Sequence, residues 1–248
     1  MTSPRTLAVD IGGTGIKAVV FEHDGTPVGD ALRVRTPYPC PPTRLVEEVA
    51  AVAGRLPAAD RVGAGFPGLL RSDRVVWVTS LTRAAPDGPV DDALARQWVG
   101  CPLRDALAAR LALPTLVAND ADVHALASTS GRGLECVITL GTGLGFALVN
   151  DGGLLPHLEL GGAPFLDGRD FEAVLGNAGL EHDGLEAWTA HVTQAVEALR
   201  PFLYFDHLYV GGGNARLLAA DAFGDDVTLV GNVNGLRGGY LLWASRDR

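Results

Sequence analysis

Two short segments hold the residue patterns with the clearest chemistry: Asp10-Ile11-Gly12-Gly13-Thr14-Gly15-Ile16-Lys17 and Leu140-Gly141-Thr142-Gly143-Leu144-Gly145. In each, glycines and one threonine separate two apolar, β-branched runs, and each return run ends in an Asp-Gly pair, Asp24-Gly25 and Asp151-Gly152. A strand, a tight glycine turn and a return strand present successive backbone N–H groups with no Cβ in the way, which forms an anion-binding concavity. Two such hairpins suit a chain of phosphates. The dinucleotide and P-loop glycine patterns require a helix directly after the turn. Here IKAVVF and GFALV alternate as strands instead. Two ordinary hairpin turns are the competing reading of the same residues.

Carboxylates stand beside these turns. Asp10 closes the first apolar run, so its side chain points toward whatever the turn binds. A carboxylate next to bound phosphate calls for a divalent cation between them, which implicates Mg2+ held by Asp10 through water. The alternative is an Asp that only bonds turn amides. Asp120, in VANDADVHALA, ends a short apolar run and opens a helical one. It is the candidate general base, with Asn119 beside it to fix a substrate hydroxyl, and equally a candidate N-cap. Asp122 fits helix-start electrostatics better, and His124, one helical turn beyond Asp120, reads as structural or surface. His157 and Glu159, in the Gly-rich GLLPHLELGG, are candidate sugar contacts, or else a loop carboxylate paired with a nearby arginine. Gly211-Gly212-Gly213 follows an apolar run and precedes NARLLAAD; it reads as a phosphate or nucleoside turn at a helix start, or as close packing.

These residues need a scaffold of strands and helices, and the patterning supplies one. Residues 6–11 and 15–21 read as a hairpin, with LRVRTP at 32–37 as a third strand and TPYPCPP at 36–42 as a loop. From Thr43, taken as N-cap, TRLVEEVAAVAGRL has helical spacing. RVGAGFPGLL is a strand ending at Gly65-Phe66-Pro67-Gly68, followed by helical DDALARQW and PLRDALAARLA and the strand TLVAND. The second half repeats the plan: a hairpin over 136–149, an irregular stretch to about 170, helices across 170–201, strand 207–213, helix NARLLAAD, strand VTLVG and a last helix from about Gly235. The expected class is α/β in two lobes, residues 1–117 with about 236–248 forming the smaller and 118–235 the larger.

Composition narrows the function further. The 248 residues include 47% hydrophobic and 20% charged, with no apolar run long enough for a membrane span. No leader pattern precedes the first strand, so a cytoplasmic protein is expected. The net charge of −9 argues against nucleic-acid binding. Cys40, Cys101 and Cys136 lie far apart without metal-ligand spacing, so no zinc site is expected.

Taken together, DIGGTGIK, GFPG, VANDAD, LGTGLG, ELGG and the Gly211–Gly213 turn resemble the ROK family of sugar kinases and regulators, and within it the polyphosphate-glucokinase-like branch. The match runs nearly end to end. The resemblance implies a two-lobed actin-like/ribonuclease H-like ATPase fold with duplicated phosphate hairpins. It implies that Asp120 deprotonates a sugar hydroxyl, typically the 6-hydroxyl of glucose, as that oxygen attacks the terminal phosphoryl group of ATP or inorganic polyphosphate. Asp10 then organises Mg2+. The hairpin amides with Gly12, Gly13, Thr14, Gly141, Thr142, Gly143 and Lys17 stabilise the transferred group, and Gly211, Gly212 and Gly213 face the nucleotide. Asn119, Asp120, Glu159 and the loop of Gly65, Pro67 and Gly68 hold the sugar. A homodimer is a further implication. The chain departs from the family pattern where Glu159-Leu160 is followed by Gly161-Gly162 rather than Gly-His, and at Ser80, where many members carry Asn. Both changes remove polar contacts and bear on which sugar is accepted. The family's cysteine-rich zinc motif and the helix-turn-helix of its repressors are not seen, which favours a kinase of the polyphosphate type.

Overall fold

A computed structural model describes residues 3–86, 88–231 and 235–244. In chain order the elements are β1 (Thr6–Ile11), β2 (Ile16–Phe21), β3 (Pro27–Val34), α1 (Pro42–Ala53), β4 (Arg61–Phe66), β5 (Gly68–Arg71), β6 (Arg74–Val78), α2 (Asp92–Trp98), α3 (Leu103–Leu111), β7 (Thr115–Asn119) and α4 (Asp120–Ser128). They continue as β8 (Leu134–Leu140), β9 (Leu144–Asn150), β10 (Gly153–Leu154), β11 (Pro164–Leu166), β12 (Arg169–Asp170), α5 (Phe171–Leu175), α6 (Asn177–Leu203), β13 (His207–Gly211), β14 (Val227–Leu229) and α7 (Gly235–Ala244). The chain divides into two compact units, Met1–His124 with Asn234–Arg248, and Ala125–Val233. Of the expected segment 236–248, residues 245–248 lie outside the described residues.

The first unit is built on a five-stranded sheet in the order β3-β2-β1-β4-β7. β1 pairs antiparallel with β2 and parallel with β4, and β4 pairs parallel with β7. Strand alternation sends Leu7, Val9, Ile11, Ile16, Ala18 and Val20 into one core, which they share with Leu45 and Val49 of α1 and Leu103 and Leu107 of α3. Ala8, Val19 and Phe21 face the opposite side, where Leu236 and Tyr240 of α7 cover them. That helix lies directly on backbone: a Cβ on Gly238 would collide with the Val123 carbonyl, and one on Gly63 with the Gly239 carbonyl. Glycines that weaken an isolated helix are here what lets it close on β4 and α4.

The second unit repeats the plan in the order β10-β9-β8-β13-β14, again an antiparallel hairpin, β8–β9, extended by parallel strands on one side. Its core joins Ile138, Leu140 and Phe146 to Val174, Leu175, Trp188, Val192 and Val196 of α5 and α6.

Several boundaries differ from the sequence reading. Helix α1 starts at Pro42 with Pro41 at the cap and no side-chain cap bond, so Thr43 is not the N-cap; proline at the first helical position needs none for its missing N–H. RVGAGFPGLL is two strands, because Pro67 interrupts the ladder between β4 and β5. Gly184, with φ 78°, breaks α6 into two segments. No α-helix follows Gly213; Ala215–Leu217 and Ala220–Ala222 form short 3-10 turns.

Candidate active site

In the first unit the parallel strands end level with one another. Asp10 of β1 is in register with Gly65 of β4, and Gly65 with Ala118 of β7. Asn119 and Asp120 come next along the chain, so Asp120 stands two strands over from Asp10, about 10 Å sideways at ordinary strand spacing, and two residues further along. The carboxyl ends of parallel strands are where α/β proteins place ligands.

The first glycine turn is held from outside by two side chains of the 36–41 loop. Thr36 Oγ1 donates to the Gly12 carbonyl at 2.5 Å, and Tyr38 Oη lies 2.6 Å from the Gly13 carbonyl and 2.8 Å from that of Ser80. Across the turn, Gly12 N–H donates to the Gly15 carbonyl at 3.0 Å. With its carbonyls occupied, the turn keeps Gly13 half-buried and Thr14 exposed to solvent. Directly below, Asp10 and Lys17 are cross-strand partners, and Lys17 Nζ donates to Asp10 Oδ2 at 3.2 Å. His124 Nε2 is 4.0 Å from Asp10 Oδ1. Burial pushes the His124 imidazole below its usual pKa, opposed by Asp10 and reinforced by Lys17.

At the β7–α4 junction, Asn119 is buried and doubly engaged. Its Oδ1 accepts from Ala121 N at 2.7 Å and its Nδ2 donates to the Gly68 carbonyl at 3.1 Å. It thus caps the helix start and fixes the loop that leaves Phe66 through Pro67. Asp120 Oδ1 also accepts from Ala121 N, at 2.9 Å, so its carboxylate is oriented at the strand's end by the helix it opens. Gly65 lies beneath it, a Cβ there falling 3.6 Å from Asp120 Cα. Asp122 is buried, as a structural carboxylate of the first turn of α4.

In the second unit, Gly141 N–H donates to the Gly143 carbonyl at 3.1 Å, and Thr142 is exposed. No side chain analogous to Tyr38 holds this turn among the described residues; Asn177 N–H donates to the Gly141 carbonyl at 2.9 Å instead. Glu172, which sequence spacing gave no reason to choose, reaches over it. Its Oε2 lies 2.8 Å from where a Gly143 Cβ would stand and 3.3 Å from the same point on Gly161, and accepts from Leu144 N at 3.4 Å. Glu159 is partly exposed, and its partner is the buried His157 rather than an arginine, Nε2 and Oε1 being 3.0 Å apart. Gly162 has open space around its missing side chain. Gly212, with φ +89°, packs against the backbone of Leu140, and Asn214 N–H donates to the Leu140 carbonyl at 3.0 Å. Gly211 is packed on Val230, while Gly213 is open. The stretch offers close packing and a bend, without the helix N-terminus expected after it.

A Mg2+ ion binds through one or two carboxylates plus the substrate's own phosphates, and Asp10 beside the first turn fits that requirement. Among the described residues no group of three or more His, Cys, Asp or Glu is placed to hold a metal. Burial pushes the Cys40 thiol up to about 11 and raises those of Cys101 and Cys136 as well, which disfavours the thiolate. No described helix is long and apolar enough to cross a membrane.

Comparison with known proteins decides the lineage. The ROK family model matches residues 6–156, which contain both glycine turns and the Asn119-Asp120 junction. The chain belongs to the ROK family. The polyphosphate glucokinase of Mycobacterium tuberculosis strain CDC 1551 is 28% identical over 225 residues, 87% of this chain and 80% of that one. The crystal structure of an inorganic polyphosphate/ATP-glucomannokinase from Arthrobacter sp. strain KM is 29% identical, with TM-score 0.74 over 99% of this chain and all of that one. A ROK glucokinase from Streptomyces griseus, crystallised with glucose and AMPPNP, shares the fold at TM-score 0.69 and 19% identity, over 98% of this chain. The fold of this ROK chain is accordingly the actin-like ATPase type, and its repeated sheet order is that fold's duplication.

Proposed function

We propose that this chain is a sugar kinase that transfers the terminal phosphoryl group of polyphosphate, ATP or both to the 6-hydroxyl of glucose. The observation that carries the reading is the placement of Asp120: an oriented carboxylate just past the end of β7, on the same strand-end edge of the sheet as Asp10 and the first glycine turn. The likeness to kinases whose donors are polyphosphate and ATP points the same way.

Phosphoryl transfer asks a protein mainly for positioning and for electrostatic stabilisation of the moving group. Asp120 accepts the proton of the attacking hydroxyl, while Asn119 keeps the helix start and the Gly68 carbonyl in place. The amides of Gly13 and Thr14, the Thr14 hydroxyl and Lys17 are donors to phosphate oxygens. Asp10 would hold Mg2+ through water, and the ion would neutralise charge on the donor. The second unit, taken by itself, presents the amides of the Gly141–Gly143 turn and the exposed Thr142 hydroxyl. Glu159, held by His157, is a carboxylate acceptor for sugar hydroxyls.

A second acceptor reading is favoured by Gly162. A site lacking a polar group there makes fewer contacts to particular hydroxyls, and another hexose or an amino sugar then competes with glucose. Mg2+-dependent phosphorylation of glucose, mannose and N-acetylmannosamine, with ATP and polyphosphate in parallel, tests both readings. Asp120→Asn is expected to lower kcat by at least about 100-fold while donor binding persists. Sugar binding without turnover in either protein would instead identify a sensor on a kinase scaffold.

A further inference from the structure

The row that begins with Asp10 does not stop at Lys17. In register, Lys17 of β2 is opposite Arg33 of β3, so Asp10, Lys17 and Arg33 cross three adjacent strands in one line. β3 is the edge of this sheet. The Arg33 guanidinium lies over the return limb of the glycine turn: Nε is 3.2 Å and Nη2 3.7 Å from the point a Gly15 Cβ would occupy. Two residues further on, Arg35 passes the turn just before Thr36, whose N–H approaches the Thr14 carbonyl at 3.5 Å.

Both arginines are exposed, and among the described residues neither has an acidic partner. Arg5, Arg104, Arg110, Arg169 and Arg200 are each paired with a carboxylate. Lys17 has a carboxylate partner too, Asp10, though its half-exposed ammonium keeps further donors for a phosphate. Between Ala31 and Val46 the chain carries Arg33, Arg35 and Arg44 and no acid, within a protein of net charge −9. Arg33 on the edge strand and Arg35 one residue past its end, about 7 Å apart along the chain and on the same side of it, suit a string of phosphates rather than one isolated phosphate.

We infer that Arg33 and Arg35 hold the distal phosphates of a polyphosphate donor that overruns the first glycine turn, and so set the preference for polyphosphate over ATP. This rests on the donor reading of the first turn given above. A nucleoside triphosphate has too few phosphates to use both positions, whereas a long chain engages them and gains an affinity term that falls with salt.

The test compares wild type, Arg33→Gln/Arg35→Gln and the control Arg96→Gln, which removes one exposed positive charge from the last turn of α2, half the charge change of the double variant. Equilibrium dialysis with long-chain polyphosphate gives affinity without turnover, and kcat/KM is measured for ATP, tripolyphosphate and long-chain polyphosphate over a salt series. In the double variant, the ratio of kcat/KM for long-chain polyphosphate to that for ATP is expected to fall about ten-fold, with a shallower salt dependence of polyphosphate binding. Arg96→Gln leaves the ratio within about two-fold. Wild type that binds and uses long polyphosphate, with the same ratio in the double variant, overturns the inference alone. Equal loss for all donors also overturns it, by making the arginines general supports of the turn. Wild type that uses ATP and does not bind polyphosphate overturns the polyphosphate half of the proposed function together with the inference.

Discussion

The two glycine hairpins share a backbone plan and differ in where they keep their charge. In the first, the row below the turn is Asp10 opposite Lys17; in the second, the corresponding pair is Thr139 opposite Gly145. The second hairpin's charge sits at its far end. Glu135, at the start of β8, is buried and accepts from the N–H groups of Ser130, Gly131 and Arg132 and from the Tyr209 hydroxyl. The outer strands differ as well: β3 spans eight residues and carries Arg33, and β10 has two. Duplicated topology thus supplies two similar glycine turns. Divergence then leaves the charged pair, Asp10 and Lys17, below the first turn alone, with Arg33 beside it on β3. The second has no charged pair below its turn; its nearest carboxylate is Glu172 of α5, which reaches over Gly143, and the buried Glu135 at its far end serves stability.

That contrast breaks most sharply at the turn rows. Asp10→Asn is expected to lower kcat/KM by about 100-fold or more, and Thr139→Val by less than about three-fold, read in steady-state kinetics at saturating Mg2+. Comparable losses would mean that charge below the turn is incidental. At the far end of β8, Glu135→Gln should cost about 2 kcal/mol of unfolding free energy, read from the urea midpoint, with kinetic constants little changed. Burial alone would raise the Glu135 pKa, but the Ser130, Tyr209 and Gly131 donors outweigh it and hold the carboxyl below its usual range. The stabilisation is therefore complete above the unfolded carboxyl value and is lost as pH falls through the lower folded one. In Glu135→Gln this part of the acid sensitivity should vanish.

The repeat itself was legible in the chain, because apolar β-branched runs around glycines announce hairpins wherever they occur. So was the strand-to-helix step at Asn119-Asp120, since Asp does well at a helix start. Other features had no local signature. The glycines of α7 read as helix-weakening until β4 and α4 are seen to lie against them, a contact between segments far apart in sequence. NARLLAAD has helical composition but forms 3-10 turns, so tertiary context overrode propensity there. Glu172 and the unpaired state of Arg33 likewise depend on which strands are neighbours, and spacing alone does not give the order β3-β2-β1-β4-β7.

Smaller effects sharpen the comparison at the turns themselves. Only the first is tied down by a phenol, so Tyr38→Phe should destabilise by about 1 kcal/mol and raise the donor KM about two- to three-fold, with no counterpart in the second unit. At the second turn the informative change is Glu172→Gln. Its carboxylate lies over Gly143 and Gly161, and it competes with any anion that approaches the same amides. The residue is exposed, so solvent and salt weaken the repulsion. Removing the charge while keeping the shape should lower the donor KM by about two-fold at low ionic strength and by nothing measurable at high salt. A rise in KM at both would show that Glu172 organises the turn through Leu144 N–H more than it repels a ligand. The second hairpin would then depend on an acidic side chain for its geometry, much as the first depends on Tyr38.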